Sequence, residues 1–201
     1  NRKEAIRLIT KKIGNEPIVS ANGYVSRDLF ETYDKESNFY MIGSMGLASS
    51  IALGVAIKNP KKRVYIFDGD GNILMNLGSL VTIGVSQQKN LVHIIFDNES
   101  HESTGGQPTH TAKLDIKNIA KSTNYRAFKA RSKNGLQMIL NKIQNISGPI
   151  MIIIKIEKSN DSSKRIDLDP TKIRERFMNC FDWLVIREIK PTTLHRHHEA
   201  G

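Results

Sequence analysis

Arg63-Val64-Tyr65-Ile66-Phe67-Asp68-Gly69-Asp70-Gly71, followed by Leu91-Val92-His93-Ile94-Ile95-Phe96-Asp97-Asn98, is the stretch that decides the fold. Each run is apolar without alternation until it meets a polar turn, and Ile73 to about Ile83 between them has helical spacing. Strands of this kind joined by helices describe a parallel sheet covered on both faces, where neither side of a strand meets water. The same rhythm extends outward in both directions. Towards the amino terminus, residues 3–13 place Ala5, Ile6, Leu8, Ile9 and Ile13 on one helix face, ended by Gly14. Pro17–Ser20 reads as a strand, and Ser26 as the cap of a helix through Tyr33. Phe39–Ile42 is a further strand, and Leu47–Ile57 a small-residue helix stopped by Pro60. Towards the carboxyl terminus come a polar loop from Asp97 to about Lys113, helices near Ile116–Ser122 and Gly135–Ile146, and a strand at Pro149–Ile156. The expectation is an α/β fold in three layers, a five-stranded parallel sheet with helices on both faces.

Residues 1–157 carry this pattern and are expected to form one α/β domain. Residues 158–201 differ: a polar run at Lys158–Lys164 reads as an exposed linker, Pro170–Phe181 as an amphipathic helix, and the rest as a flexible tail. The terminal His195-Arg196-His197-His198 lacks partner ligands at fixed spacing, so it does not read as a zinc site.

The net charge of +10 invites a nucleic-acid reading, but the basic residues are scattered and aromatics make up only 6%. A basic nucleic-acid-binding domain is the alternative class, and it gives the Gly69-to-Asn98 pattern no role. No phosphate-binding loop of the nucleotide-hydrolase type is present. The longest apolar run, Ile150–Ile154, cannot cross a bilayer. A single cysteine, Cys180, forbids an internal disulfide and suggests a cytoplasmic protein.

In an open parallel sheet, ligands sit beyond the carboxyl ends of the strands. Four strands here end in polar or glycine-bearing turns: Asn22-Gly23-Tyr24, Gly43-Ser44-Met45-Gly46, Gly69-Asp70-Gly71-Asn72 and Asp97-Asn98-Glu99-Ser100. Two of these lead into helices, whose amino termini favour phosphate. Asp70 and Asn98 add a carboxylate and a carboxamide oxygen, hard ligands suited to Mg²⁺. A diphosphate with a divalent cation is the ligand these features describe.

Gly69-Asp70-Gly71 through Asp97-Asn98 resembles the signature of thiamine-diphosphate-dependent 2-oxo-acid decarboxylases. The resemblance implies that Asp70, Asn98 and the carbonyl of Ser100 hold Mg²⁺ against the diphosphate, although Asp97 stands where that family usually has a second Asn. Asn22, Gly23, Tyr24, Gly43, Ser44, Met45, Gly69, Gly71 and Asn72 become the expected cofactor contacts, with Met45 propping the bent cofactor. Gly43-Ser44-Met45-Gly46-Leu47-Ala48-Ser49-Ser50, Gly69–Ser79 and His101-Glu102-Ser103-Thr104-Gly105-Gly106-Gln107-Pro108-Thr109 are similar to phosphonopyruvate decarboxylases. The first two blocks, with Thr109-His110-Thr111, also resemble sulfopyruvate decarboxylase β subunits, which chain length favours.

The resemblance further implies CO₂ loss from a small anionic 2-oxo acid, phosphonopyruvate before sulfopyruvate. His101 is the candidate acid/base, and Ser103, Thr104, Gln107 and Arg27 are candidate substrate contacts. The glutamate that activates the cofactor in this family comes from a pyrimidine-binding domain, of which the sequence shows none. The chain is therefore expected to be inactive alone and to pair with an α-type subunit or an N-terminal half, in a homo- or hetero-oligomer.

Overall fold

A computed structural model of the chain describes residues 1–158 and 163–181. Six strands form one parallel sheet in the order β2-β1-β3-β4-β8-β7. They are β1 (Ile18–Ser20), β2 (Asn38–Tyr40), β3 (Val64–Gly69), β4 (Leu91–Asp97), β7 (Arg126–Ala130) and β8 (Ile150–Lys155). The central strands β3, β4 and β8 are buried almost throughout. Alternate residues of each face opposite layers. Val64, Ile66, Leu91, Ile95, Met151 and Ile153 pack on one side, beneath α3 (Ala48–Lys58), α5 (Gly78–Ser86) and α6 (Ile116–Ser122). Tyr65, Phe67, Val92, Ile94, Phe96, Ile150 and Ile152 pack on the other, beneath α1 (Arg2–Ile13), α2 (Tyr24–Tyr33) and α7 (Lys133–Lys142). The three-layer expectation holds.

Several elements depart from the sequence reading, each for a local reason. The sheet has a sixth strand, β7, on its edge. Its Arg126 and Lys129 face solvent and its apolar positions are mostly alanine, which leaves little strand signal. The span Ile73–Ile83 is two helices, α4 (Asp70–Met75) and α5, broken at Asn76-Leu77. The break is used: Asn76 Nδ2 donates to the Gly46 carbonyl at 3.1 Å and ties down the turn that carries Met45. Gly23 caps α2, not Ser26, which lies within the helix and donates to the Gly23 and Met41 carbonyls.

Residues 97–113 are not a bare loop. They contain an antiparallel ribbon, β5 (Ser100–His101) with β6 (Gln107–Pro108), too short to leave a periodic signature. Ser163 is buried against Asp28, so the end of the polar run returns to the body of the protein. The last described helix, α8 (Pro170–Met178), sends Phe177 into one core and Ile173 into the other at the β2 edge. The histidine-rich tract lies outside the described residues.

Helix packing on the Val64 side gives a test. A Cβ on Gly84 of α5 would fall 1.6 Å from the Thr123 carbonyl oxygen, whereas one on Gly54 of α3 meets nothing within 4 Å. Gly54→Ala should therefore gain most of the helix-propensity difference, roughly 0.8 kcal/mol. Gly84→Ala should lose about 1–3 kcal/mol through overpacking. Thermal unfolding of the two variants should show shifts of opposite sign.

Candidate functional site

The chain order reverses at the boundary between β1 and β3: it leaves β1 for the β2 edge, then returns to β3 on the other side. A crevice at the carboxyl end of such a reversal is the expected ligand position in an open parallel sheet. A small cavity of about 70 Å³ lies there. Asn22, Tyr24, Met45, Gly69, Asp70, Gly71, Asn72, Asn98, Ser100, His101, Ser103 and Thr104 all border it. The turns after β1, β2, β3 and β4 thus converge as their chemistry suggested.

Asp70 is the first residue of α4 and is 2% exposed. Its Oδ2 accepts from Thr109 Oγ1 at 2.5 Å and lies 3.3 Å from Thr111 Oγ1, whose single proton is shared with Asp97. Both hydroxyls lie at the same oxygen, and Oδ1 takes neither of them. Burial is the largest influence on this carboxyl and pushes its pKa up, the Thr109 hydrogen bond pulls it back, and nearby Asp97 raises it further. A buried carboxylate with only neutral donors is a site waiting for positive charge.

Asp97 is not available to share that role. Its Oδ1 accepts from Thr111 Oγ1 at 2.9 Å and its Oδ2 faces Lys155 Nζ at 3.2 Å. Asn98 borders the cavity instead, with Ser100 N–H donating to its Oδ1 at 3.1 Å. Ser100 Oγ is buried without a hydrogen-bond partner, an unmet polar atom on the same wall. Among the described residues no three His, Cys, Asp or Glu side chains converge. A cation here would rest on one carboxylate, a carboxamide and a carbonyl, with phosphate oxygens or water completing its shell, a set suited to Mg²⁺.

Glycine at position 71 is a matter of space. A Cβ there would sit 2.6 Å from His101 Nδ1 and 3.3 Å from Met45 Cε, so backbone, imidazole and thioether close on one point. Asn72 Nδ2 donates to Asn22 Oδ1 at 2.8 Å and joins the first and third turns. Tyr24 lies between two guanidinium groups, Arg2 at 5.7 Å and Arg27 at 5.0 Å from the ring centroid.

Beneath the Asp70 turn, Asp68 Oδ1 accepts from the Gly69 N–H at 3.0 Å. Its Oδ2 meets His93 Nε2 at 3.1 Å in full burial. This polar pair inside the sheet fixes the strand end from below.

Five expected contacts do not border the cavity, among them Gly23, where a Cβ would fall 2.8 Å from Ser103 Oγ. Gly43 and Ser44 line a separate groove with Phe39, Leu47 and Ile173, because the turn projects only Met45 towards the cavity. Arg27 stacks on the outer side of Tyr24 and does not border the cavity, and Gln107 is exposed on the ribbon beside Gly105. Conversely, the sequence reading gave no role to Arg2, Glu102, Thr109 or Thr111, all of which bond into the site. Glu102 and Thr109 lie within the block 101–109, but only the folded ribbon aims them inward. A larger cavity of about 770 Å³ lies over the ends of β4, β8 and β7. None of the expected site residues borders it, and Lys133 with Glu4 and Lys155 with Asp97 and Glu99 form ion pairs in its wall.

Comparison with known proteins agrees with this geometry. The profile of the thiamine pyrophosphate enzymes, C-terminal TPP binding domain, matches residues 13–154. The chain belongs to this family.

Among curated relatives, the sulfopyruvate decarboxylase subunit beta of Methanocaldococcus jannaschii is 40% identical over 181 residues, 89% of this chain and 96% of that one. The phosphonopyruvate decarboxylase of Streptomyces viridochromogenes is 37% identical over 173 residues, 85% of this chain but 43% of its own. The crystal structure of benzoylformate decarboxylase from Polynucleobacter necessarius shares the fold, with a TM-score of 0.68 at 16% identity, over 83% of this chain and 34% of that one. The family's cofactor, thiamine diphosphate, meets a fitting cleft: a buried carboxylate without a counter-charge, an unpartnered hydroxyl and a glycine-floored approach.

Because its folded-state pKa is raised, Asp70 favours the fold below its ordinary 3.8 and loses that contribution as pH rises through the folded value. At neutral pH it is a net cost to the cofactor-free chain. Asp70→Asn should then raise the stability of that chain by roughly 1 kcal/mol, about 2–4 °C in Tm for this size. The same variant should lose most of the stabilisation that Mg²⁺ with thiamine diphosphate gives the unsubstituted chain. Thermal unfolding with and without both additives checks the two shifts together.

Proposed function

We propose that this chain is the diphosphate-binding half of a thiamine-diphosphate-dependent decarboxylase acting on a small 2-oxo acid with a tetrahedral anion at C3. The observation that carries the reading is the meeting of Asp70, Asn98, Ser100, Gly71, Met45 and His101 at one cleft. When bound, thiamine diphosphate supplies the electron sink that lets a 2-oxo acid lose CO₂. The chain's own residues do the rest. Asp70, Asn98 and the Ser100 carbonyl would hold the cation that accompanies the diphosphate, Met45 would support the cofactor, and Asn22, Gly69, Gly71 and Asn72 would line its cleft.

His101 stands over Gly71, and its ring makes no hydrogen bond within the described residues. It is placed to move a proton between solvent and the reacting carbon. Ser103 and Thr104 offer neutral donors to the C3 anion from the ribbon turn.

Two features support a need for a second half. The cleft encloses about 70 Å³, far below the roughly 300–1,000 Å³ of a complete small-molecule pocket, so it reads as one wall of a site. Among the described residues, the carboxylates that border it are already engaged, Asp70 by Thr109 and Glu102 by Arg2 and Asn98, which leaves none for the cofactor's pyrimidine ring. A pyrimidine-binding α-type subunit or N-terminal half would supply that group and the opposite wall.

The block His101–Thr109 favours phosphonopyruvate, giving phosphonoacetaldehyde and CO₂. Sulfopyruvate is the second reading, supported by the sulfopyruvate decarboxylase β subunits at 36–40% identity. The deciding experiment measures CO₂ release from each acid with the complementary half, thiamine diphosphate and Mg²⁺ present. Release that needs all components and is faster from phosphonopyruvate is expected, with His101→Ala lowering kcat by about 10²–10⁴-fold. Turnover by this chain alone, or none from either acid with every component present, would refute the reading.

A further inference from the structure

The carboxamide of Asn98 is bonded at both ends. Ser100 N–H, which can only donate, meets Oδ1 at 3.1 Å; Glu102 Oε2, which can only accept, meets Nδ2 at 3.0 Å. A carboxamide turned by half a rotation would present its NH₂ to a cation, and the two ends differ little in shape. The neighbours therefore decide which end faces the metal. Glu102 is itself held: the same oxygen, Oε2, accepts from Arg2 Nη1 at 2.9 Å, with side chains 13% and 7% exposed. Arg2 Nε in turn donates to Asp28 Oδ2 at 2.6 Å, and Asp28 Oδ1 accepts from Ser163 Oγ at 2.5 Å. Five side chains thus run from the segment after residue 162, across α1 and α2, to the cation ligand.

We propose that Glu102, held by Arg2, is the positioning residue of the cation site: by accepting from Nδ2 it leaves the Asn98 carbonyl oxygen as the end offered to a cation. The inference rests on the reading of Asp70 and Asn98 as cation ligands. Arg2 has a second consequence. A lone Glu102 on the cavity wall would be a hard ligand competing with Asn98, and the guanidinium engages the oxygen nearest that amide. The arrangement matches the way outer carboxylates orient metal-binding side chains in other proteins. The anchoring of Arg2 by Asp28 ties the orientation of Asn98 to the docking of α1 on α2.

The test is Mg²⁺ affinity of the chain paired with its complementary half at saturating thiamine diphosphate, read by calorimetry and independent of turnover, in a double-mutant cycle. Glu102→Gln keeps the shape but adds a donor, so the Asn98 amide can turn; affinity should fall roughly tenfold or more. In an Asn98→Ala background there is no amide to orient, and Glu102→Gln should change affinity less than about twofold. Glu102→Asp, which keeps the charge but withdraws the oxygen by a methylene, should repeat the loss and covers the case in which the glutamine variant does not fold. An unchanged affinity in both single variants, or an equal loss in both backgrounds, would overturn the proposal. Asp70→Asn separates the two levels. If it abolishes Mg²⁺ binding while Glu102→Gln leaves it intact, only the role of Glu102 falls. If the unsubstituted chain with its complementary half and thiamine diphosphate binds no Mg²⁺ at millimolar concentration, the cation site falls as well.

Discussion

A carboxylate buried at the end of a strand, with neutral donors on one oxygen, is the constraint on which the rest of this protein depends. Asp70 is 2% exposed and sits between two glycines at the start of a short helix. Leaving a charge there costs stability unless a cation or its equivalent offsets it. The surrounding structure serves that position. Thr109 and Thr111 return on the ribbon to hold one oxygen. Asp68 and His93 brace the strand end from inside the sheet. Lys155 and Thr111 occupy Asp97, which would otherwise be a second negative charge beside the first.

The sheet explains why these groups meet. Its order places β1 and β3 side by side after a crossover, so the Asn22 and Gly69–Asn72 turns flank one crevice, while β4 next to β3 brings Asn98 within reach. The ribbon 100–108 then folds back over the opening and delivers His101, Ser103 and Thr104. Strand ends and the ribbon thus line the same cleft from two sides. A rigid scaffold with an adaptable edge suits an enzyme family that keeps one cofactor and changes substrates.

Much of this was legible in the sequence because burial on two faces leaves an unbroken apolar run. β3, β4 and β8 have that form, and the turns at their ends were therefore located as strand ends. What escaped notice had weaker signals. β7 is a charged, alanine-containing edge strand, and the break at Asn76 separates two stretches that are each helical by periodicity. Glu102 and Arg2 carry no local pattern at all: their pairing joins positions far apart in the chain, and only the folded ribbon and first helix bring them together. Gly43 and Ser44 were assigned to the cleft with Met45, but a turn can direct only some of its residues to one side.

The most direct test of the central claim is a crystal structure of the chain with its complementary half, thiamine diphosphate and Mg²⁺. The account predicts one octahedral cation with an Asp70 carboxylate oxygen and Asn98 Oδ1 both at about 2.0–2.1 Å. A cofactor bound with its cation elsewhere, or with the Asn98 side chain turned out of the coordination shell, would contradict it.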